Sequence, residues 1–373
     1  MHFIFLDMNL EEDILMLMNR NRGVSMNIYL YKFYDDGKVK NAGSKAPNDI
    51  YEICNNLGWN SYGLINPKES NNLFRILKGH IKLKKQLKQL SKLDVDYVLY
   101  QHPMMGTFYN LYLMNFFNRK KIKVITLIHD IDSLRFYSSF GEKKEKRELA
   151  TLEQSSHVIC HNDKMKDYLI SKGVPKNKII CLECFDYLSD KNDLNREKND
   201  KNYSVAIAGN LSPVKCKYIY KMIEENPSLQ IDLYGIGYED NANYRNVNYH
   251  GSFLPEELPS NINSAFGLVW DGTDINTCCG EFGNYLRFNN PHKLSLYMAT
   301  GIPVVVWDQS AIAGFVEKNN LGIRVSDLND LDNKLSNISI ESYNDMVQNV
   351  KLIQEKVLDG GYFKTALSKI MEL

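Results

Sequence analysis

The chain has 373 residues, 44% of them hydrophobic and 24% charged, with 45 basic side chains balanced by 45 acidic ones. That length accommodates two domains with separate cores, and the neutral balance excludes the overall basic field of a general nucleic-acid binder. An odd count of seven cysteines fits a reducing cytoplasm better than a disulfide-stapled secreted fold, and no apolar run is long enough to span a bilayer.

Taken in chain order, residues 1–25 carry Asp7, Glu11, Glu12 and Asp13 inside an otherwise apolar stretch, which is wrong for a secretory signal. Met26 opens a strand-like run, so we read it as the biological start and residues 1–25 as a weakly structured extension. Strands are then predicted at 27–33, 61–65, 96–100, 122–128, 156–160 and 178–182, with helices near 46–57, 70–92, 106–119, 142–154 and 162–172. Residues 189–202 are polar and turn-rich and read as a linker. The pattern restarts with strands at 203–208, 229–234, 265–270 and 303–307 and helices at 214–225, 291–300, 310–319 and 327–336. Two amphipathic helices, 341–356 and 362–372, close the chain. Short apolar strands alternating with helices predict an α/β fold of two Rossmann-like, doubly wound parallel-sheet domains, 26–188 and 203–340, followed by the helices of 341–373. In such sheets ligands sit beyond the carboxyl ends of the strands, which places the active site in the cleft between the domains.

The stretch from Leu286 to Asp308 carries the strongest chemical signal. Asn290 or Asn289 can cap a helix, Pro291 suits its first position, and His292 and Lys293 follow in the first turn. Cations are disfavoured there by the helix dipole, unless they and the free N–H groups share an anion such as a diphosphate. A second anion-binding turn runs from Gly209 and Asn210 to Lys215, after strand 203–208. Tyr234 and Gly235 end the next strand, and Gly251, Ser252, Phe253 and Leu254 form a turn whose backbone could read a nucleobase edge. The acidic, glycine-bearing stretch 271–285 reads as a loop in which Asp271, Gly272 and Glu281 suit sugar hydroxyls. In the first half, His129 and Asp130 end strand 122–128 facing the cleft, and either could take a proton from an acceptor hydroxyl. The Asp130/Asp132 and Asp94/Asp96 pairs have the spacing of a metal-gripping motif, but such pairs are common by chance and the second lies at the wrong end of its strand. We expect no metal and no cofactor. The segment from Arg75 to Lys92 holds six lysines and no acid, with Leu83, Leu87 and Leu90 on the opposite face. It reads either as a solvated helix or as a dock for anionic lipid head groups.

Together these residues resemble bacterial galactofuranosyltransferases of the O-antigen and polysaccharide type, and the related glucosyltransferases that extend glycans on serine-rich adhesins. The resemblance rests on Leu127-Ile-His-Asp-Ile-Asp-Ser-Leu-Arg135, Ala208-Gly-Asn-Leu-Ser212 with Lys215-Cys216, Gly267-Leu-Val-Trp-Asp-Gly272, Ala311-Ile-Ala-Gly-Phe315 and, above all, the run from Cys279 to Lys293. It spans Met26 to the C-terminus, specific in the second half and loose in the first hundred residues, and departs from the family pattern at Cys278-Cys279, where the relatives have Cys-Ser. It implies a GT-B architecture, a UDP-sugar donor, no metal, and a C-terminal helix that crosses back onto the first domain.

On this reading the chain is a cytoplasmic, inverting UDP-sugar glycosyltransferase of cell-surface polysaccharide synthesis (lipopolysaccharide O-antigen or capsule). Asp130 or His129 is the base, and Lys215, His292, Lys293 and the helix start after Asn290 meet the charge on the diphosphate, with Arg287 assisting. The family points to UDP-galactofuranose first and UDP-glucose next. The acceptor is a saccharide, with a lipid-linked one at the inner membrane leaflet the favoured case; a homo-oligomer stays open. Two rivals are a UDP-sugar epimerase and an inactive partner subunit of a glycosylation complex.

Overall fold

Strands rich in Val, Ile and Leu on both faces must be covered on both faces, which is the condition for a parallel sheet with helices on each side. The computed structural model describes residues 25–32, 45–67, 73–190, 196–239 and 244–371. The extension read before Met26 lies outside these apart from Ser25, as does the middle of the 189–202 linker.

The first half comprises β1 (Met26–Lys32), α1 (Lys45–Asn56), β2 (Asn60–Leu64), α2 (Leu73–Leu90), β3 (Val95–His102), α3 (Thr107–Arg119), β4 (Lys123–Ile128), α4 (Asp132–Arg135), α5 (Glu142–Gln154), β5 (His157–Cys160), α6 (Asp163–Ser171) and β6 (Ile179–Cys181). The second comprises β7 (Val205–Asn210), α7 (Pro213–Cys216), α8 (Tyr218–Glu225), β8 (Ile231–Ile236), β9 (Val247–Tyr249), α9 (Leu258–Asn261), β10 (Phe266–Val269), α10 (Gly280–Tyr285), α11 (His292–Thr300), β11 (Val304–Trp307), α12 (Ala313–Lys318), β12 (Gly322–Val325) and α13 (Leu331–Ser336). Two final helices follow, α14 (Ile340–Leu358) and α15 (Gly361–Met371).

Each half forms a six-stranded sheet, in the orders β2-β1-β3-β4-β5-β6 and β12-β11-β10-β7-β8-β9, and every pairing is parallel. The strand order reverses between β1 and β3 in the first sheet and between β7 and β10 in the second, so each crevice opens at those switch points. Three readings need correction. The 271–285 segment is not loop throughout but ends in α10. Strands β9 and β12 escaped the sequence reading because both are short and lie at sheet edges, with Asn248 and Arg324 breaking the apolar run.

One hydrophobic core spans both halves. It joins Tyr29, Ile50 and Ile53 of the first half to Leu294, Met298, Phe363 and Ile370 of the second. Helix α15 carries the crossing. The Asp186 carboxylate, just after β6, accepts the N–H groups of Tyr362 and Phe363 at 3.0 and 2.8 Å and so caps its first turn. Gly360 abuts Ile53 so closely that an added Cβ would sit 2.6 Å from its side chain. The last helix therefore packs against the first domain. Burying a side chain such as Phe363 there stabilises the joint by about 1.5–3 kcal/mol. Among the described residues no helix is long and apolar enough to cross a membrane.

Candidate active site

The carboxyl ends of β7, β8 and β10 and the start of α11 meet at one point of the second domain. Gly209 and Gly235 adopt φ of +126° and +149°. A Cβ on Gly235 would lie 1.8 Å from the Gly209 carbonyl oxygen, so only glycine lets these strand ends close together. The Asn210 side chain accepts the Ser212 N–H at 3.0 Å and shapes the turn into α7. A Cβ on Gly209 would lie 4.0 Å from Cε of Lys293, which brings the turn after β7 and the start of α11 face to face. Lys293 Nζ donates to the Trp270 carbonyl at 2.8 Å and to the Asp271 carboxylate at 3.1 Å. Burial pulls its proton affinity down most strongly, but Asp271, Cys216 and Tyr297 together prevail and hold the ammonium above its ordinary range. Lys215 places its ammonium 5.0 Å above the Phe282 ring. Burial pushes the Cys216 thiol up, and Lys293 and Lys215 both oppose that push. Gly272 packs under Cys279, where an added Cβ would meet its carbonyl oxygen at 2.6 Å.

Across the cleft, β4 delivers His129 and Asp130. The His129 N–H donates to the His102 carbonyl at 2.7 Å, its ring Nε2 meets Gln101 Oε1, and the ring stacks on Phe185 at 5.6 Å. Gln101 donates its amide to Tyr29, so its oxygen must accept from His129. Burial, aided by His292 and His161, lowers the His129 pKa to about 3, so the ring is neutral at working pH. Burial instead raises Asp130 to about 6, against the pull of Arg135, whose guanidinium lies 2.5 Å away. The short helix α4 that carries Arg135 is held by Glu148, a buried carboxylate accepting the N–H groups of Asp132 and Ser133 at 2.8 and 2.9 Å. Burial pushes Glu148 up, but the His102 ring and these donors prevail and keep it below the ordinary range. Neither Glu148 nor Phe185 stood out in the sequence, because their importance lies in contacts made far along the chain.

Of the hydrogen-bonded ties between the lobes, three lie close to these residues. The Tyr285 hydroxyl accepts the Ile131 N–H at 2.9 Å. Glu281 accepts from the Ser138 hydroxyl and, at 3.4 Å, from its N–H. The third tie is Asn290, only 3% exposed. Its backbone N–H donates to His161 Nδ1 at 2.9 Å, and its amide donates to the carbonyls of His161 and Glu183 and accepts from Asn162. His161 is thus neutral, with Nε2–H donating to the Ile128 carbonyl at 3.0 Å and burial lowering its pKa to about 3. Replacing Asn290 with alanine would strand the Glu183 carbonyl and one proton of the Asn162 amide, while the His161 carbonyl keeps the Glu183 N–H and the amide keeps the Phe288 carbonyl. We expect a loss of about 2–3 kcal/mol, read as a lower urea midpoint at unchanged slope; an unchanged midpoint would show that this tie carries no stability.

Gly209, Asn210, Lys215, Gly235, Asp271, Gly272, His292 and Lys293 therefore gather on one side of the cleft, and His129 and Asp130 on the other. His292 stacks on Phe185 at 4.9 Å, both its ring nitrogens are buried without a partner among the described residues, and burial lowers its pKa to about 4. Other expectations change. Pro291 occupies the N-cap position and His292 begins the helix, with no side-chain cap from Asn289 or Asn290. The Asn290 amide is consumed by the interlobe tie and is not open to an anion. Tyr234 is 2% exposed and stacks on His250 at 4.5 Å, so its ring belongs to the core and does not face a nucleoside. Glu281 is engaged by the opposite lobe, and Arg287 lies over the Trp307 ring at 4.5 Å. The Gly251 carbonyl accepts the Gly235 N–H at 2.7 Å, which sets the turn of Gly251, Ser252, Phe253 and Leu254 beside the end of β8. Among the described residues no group of three or more His, Cys, Asp or Glu side chains could hold a metal ion.

Known proteins align with this arrangement along most of the chain. The family model described as glucosyltransferase 3-like matches with its N-terminal domain over residues 27–184 and its C-terminal domain over residues 205–370. Beta-1,6-galactofuranosyltransferase WbbI of Escherichia coli (strain K12) is 34% identical over 337 residues, covering 89% of this chain and 95% of that one. Glucosyltransferase 3 of Streptococcus gordonii is 27% identical over 337 residues, covering 88% and 94%. Among solved structures, the lipopolysaccharide outer core galactosyltransferase WaaB in its apo form superposes with a TM-score of 0.60 at 13% identity, covering 92% of this chain and 99% of that one. Anabaena HepE in complex with UDP and glucose gives 0.57 at 13% identity, covering 93% and 100%.

Proposed function

The chain belongs to the glucosyltransferase 3-like family and is a glycosyltransferase of GT-B architecture, and from that premise we propose that it is an inverting enzyme that transfers galactofuranose from UDP-galactofuranose to a sugar of a cell-surface polysaccharide. The observation that carries this reading is Lys293 set against the Gly209 turn, with Lys215 over the Phe282 ring that also meets Arg135, the partner of the Asp130 carboxylate.

In the proposed reaction the acceptor hydroxyl attacks the anomeric carbon from the first-domain side. Its proton passes to Asp130, or to His129, as the bond to the departing UDP breaks on the other side with inversion. Lys293, Lys215 and the first N–H groups of α11 meet the charge that grows on the diphosphate, where fixed charges in a partly dry site count most. The neutral His292 ring adds a further hydrogen-bonding group. These cations belong to the protein, so the proposal needs no metal, and turnover should persist in EDTA. The nucleoside would lie along the glycine ends of β7 and β8 beside the 251–254 turn, and the sugar near Asp271 and Gly272.

The greater identity to WbbI than to glucosyltransferase 3 supports galactofuranose ahead of glucose. We place the enzyme at the cytoplasmic face of the inner membrane, in O-antigen or capsule assembly, with the acceptor sugar on a lipid carrier. UDP release should be measured from a panel of UDP-sugars with and without glycoside acceptors. Acceptor-dependent release from UDP-galactofuranose supports the proposal. Preference for UDP-glucose would shift the donor, acceptor-free interconversion of UDP-sugars would make the protein an epimerase, and no reaction with any donor would favour an inactive partner subunit.

A further inference from the structure

Helix α2 is amphipathic in an unusual sense. Its inner face packs Leu83, Leu87 and Leu90 into the core of the first domain at 0–1% exposure. Its outer face is not simply polar. Leu73, Leu77 and Ile81 are 80%, 58% and 60% exposed, and Phe74 is 85% exposed. Steps of four residues place Leu73, Leu77 and Ile81 in one stripe, and steps of seven from Leu77 and Ile81 continue it to Lys84 and Lys88, both exposed. The helix contains no Asp or Glu to neutralise them.

Topology fixes where this stripe points along the domain. Helix α2 follows β2, and β2 runs parallel to β4 through β1 and β3. The amino end of α2 therefore sits at the sheet edge where His129 and Asp130 emerge. Phe108, 50% exposed in the first turn of α3, follows β3 and sits at the same edge. Helices α2 and α3 meet through His80 against Tyr109 and Tyr112. Exposed apolar side chains of two helices thus collect beside the mouth of the cleft, with lysines behind them.

We propose that this face of α2 and the start of α3 docks on an anionic lipid surface, with Leu73, Leu77, Ile81 and Phe108 entering the headgroup boundary and Lys84 and Lys88 contacting lipid phosphates. An anionic bilayer satisfies both halves of the stripe, taking apolar side chains below and cations at its surface. A second copy of the chain could cover only the Leu73–Ile81 half of the stripe and would leave Lys84 and Lys88 without opposing charge. The inference deepens the proposed function, resting on it only for the notion that a lipid-borne acceptor enters the cleft from this edge.

The full chain should sediment with phosphatidylglycerol-containing vesicles and not with pure phosphatidylcholine, less so as salt rises. Leu77→Asp with Ile81→Asp should reduce this partition at least roughly a hundredfold, and Lys84→Gln with Lys88→Gln roughly 25-fold, about fivefold per lysine. Both double variants should keep wild-type turnover on a soluble glycoside acceptor, which shows that they fold. Absence of binding to the anionic vesicles, equal and salt-insensitive binding to both lipids, or binding unchanged by either double variant would overturn the proposal. So would a dimer in light scattering that dissociates in the leucine-isoleucine variant, since that assigns the face to a second copy. Failure of turnover on every acceptor while vesicle binding stands would instead count against the transferase chemistry.

Discussion

Lys293→Ala is expected to lower kcat by about 10²–10³-fold, the scale for removing one preorganised charge from a developing anion, and to weaken UDP binding with it. The argument rests on what holds this ammonium in place. Trp270 and Asp271 aim it at the turn of Gly209, and Asp271, with Cys216 and Tyr297, keeps it charged despite burial. The substitution also strands Asp271, whose side chain is 16% exposed. Leaving a buried charge without its partner costs about 3–5 kcal/mol, so a drop in activity alone could reflect unfolding. Lys293→Ala combined with Asp271→Asn separates the two effects: the second change removes the stranded charge, and stability should return while turnover does not. If turnover returned with stability, Lys293 would be a structural cation and no part of the donor site.

The second large effect concerns the base. Asp130→Asn should lower turnover by about 10²–10⁴-fold, the range for losing a positioned general base. The pH profile of the wild type distinguishes Asp130 from His129, because burial moves the two in opposite directions. A base must be unprotonated to accept a proton. With Asp130 raised to about 6, kcat/KM should be flat above that pH and fall tenfold per unit below it. With His129 lowered to about 3, an imidazole base would stay active down to far more acidic solution. An acid limb near pH 6 that disappears in the residual activity of Asp130→Asn assigns the role to the carboxylate; a limb persisting in that variant, or one only near pH 3, assigns it elsewhere. The pairing of Asp130 with Arg135 predicts a further trend: Arg135→Gln removes the opposing charge and should shift the limb upward.

Much of the fold was legible because its strands are apolar on both faces and separated by turn residues, as in Lys123–Ile128 and Val304–Trp307. The edge strands β9 and β12 carry too few residues for periodicity to register. The site was legible where local backbone demands a residue type. Gly209 and Gly235 are required by positive φ and mutual contact, and Lys293 stood out as a cation in a first helical turn. It was illegible where a residue's use depends on a distant partner. Asn290 before Pro291 looks the same in sequence whether its amide meets an anion or, as found, the backbone of His161 and Glu183, more than a hundred residues away. Glu148 likewise sits in an ordinary charged helix, and only the fold brings it to the first turn of α4. The exposed leucines of α2 needed the structure for the same reason, since periodicity alone could not say which of its apolar rows faced inward.

Calorimetric titration of the wild-type protein with UDP and with uridine tests the diphosphate cradle most directly. If Lys215, Lys293 and the start of α11 grip the two phosphates, UDP should bind at least roughly a hundredfold more tightly than uridine, the scale of a few charge-assisted hydrogen bonds, and Lys215→Ala with Lys293→Ala should erase that difference while leaving uridine binding unchanged. Equal affinity for UDP and uridine in the wild type would contradict it.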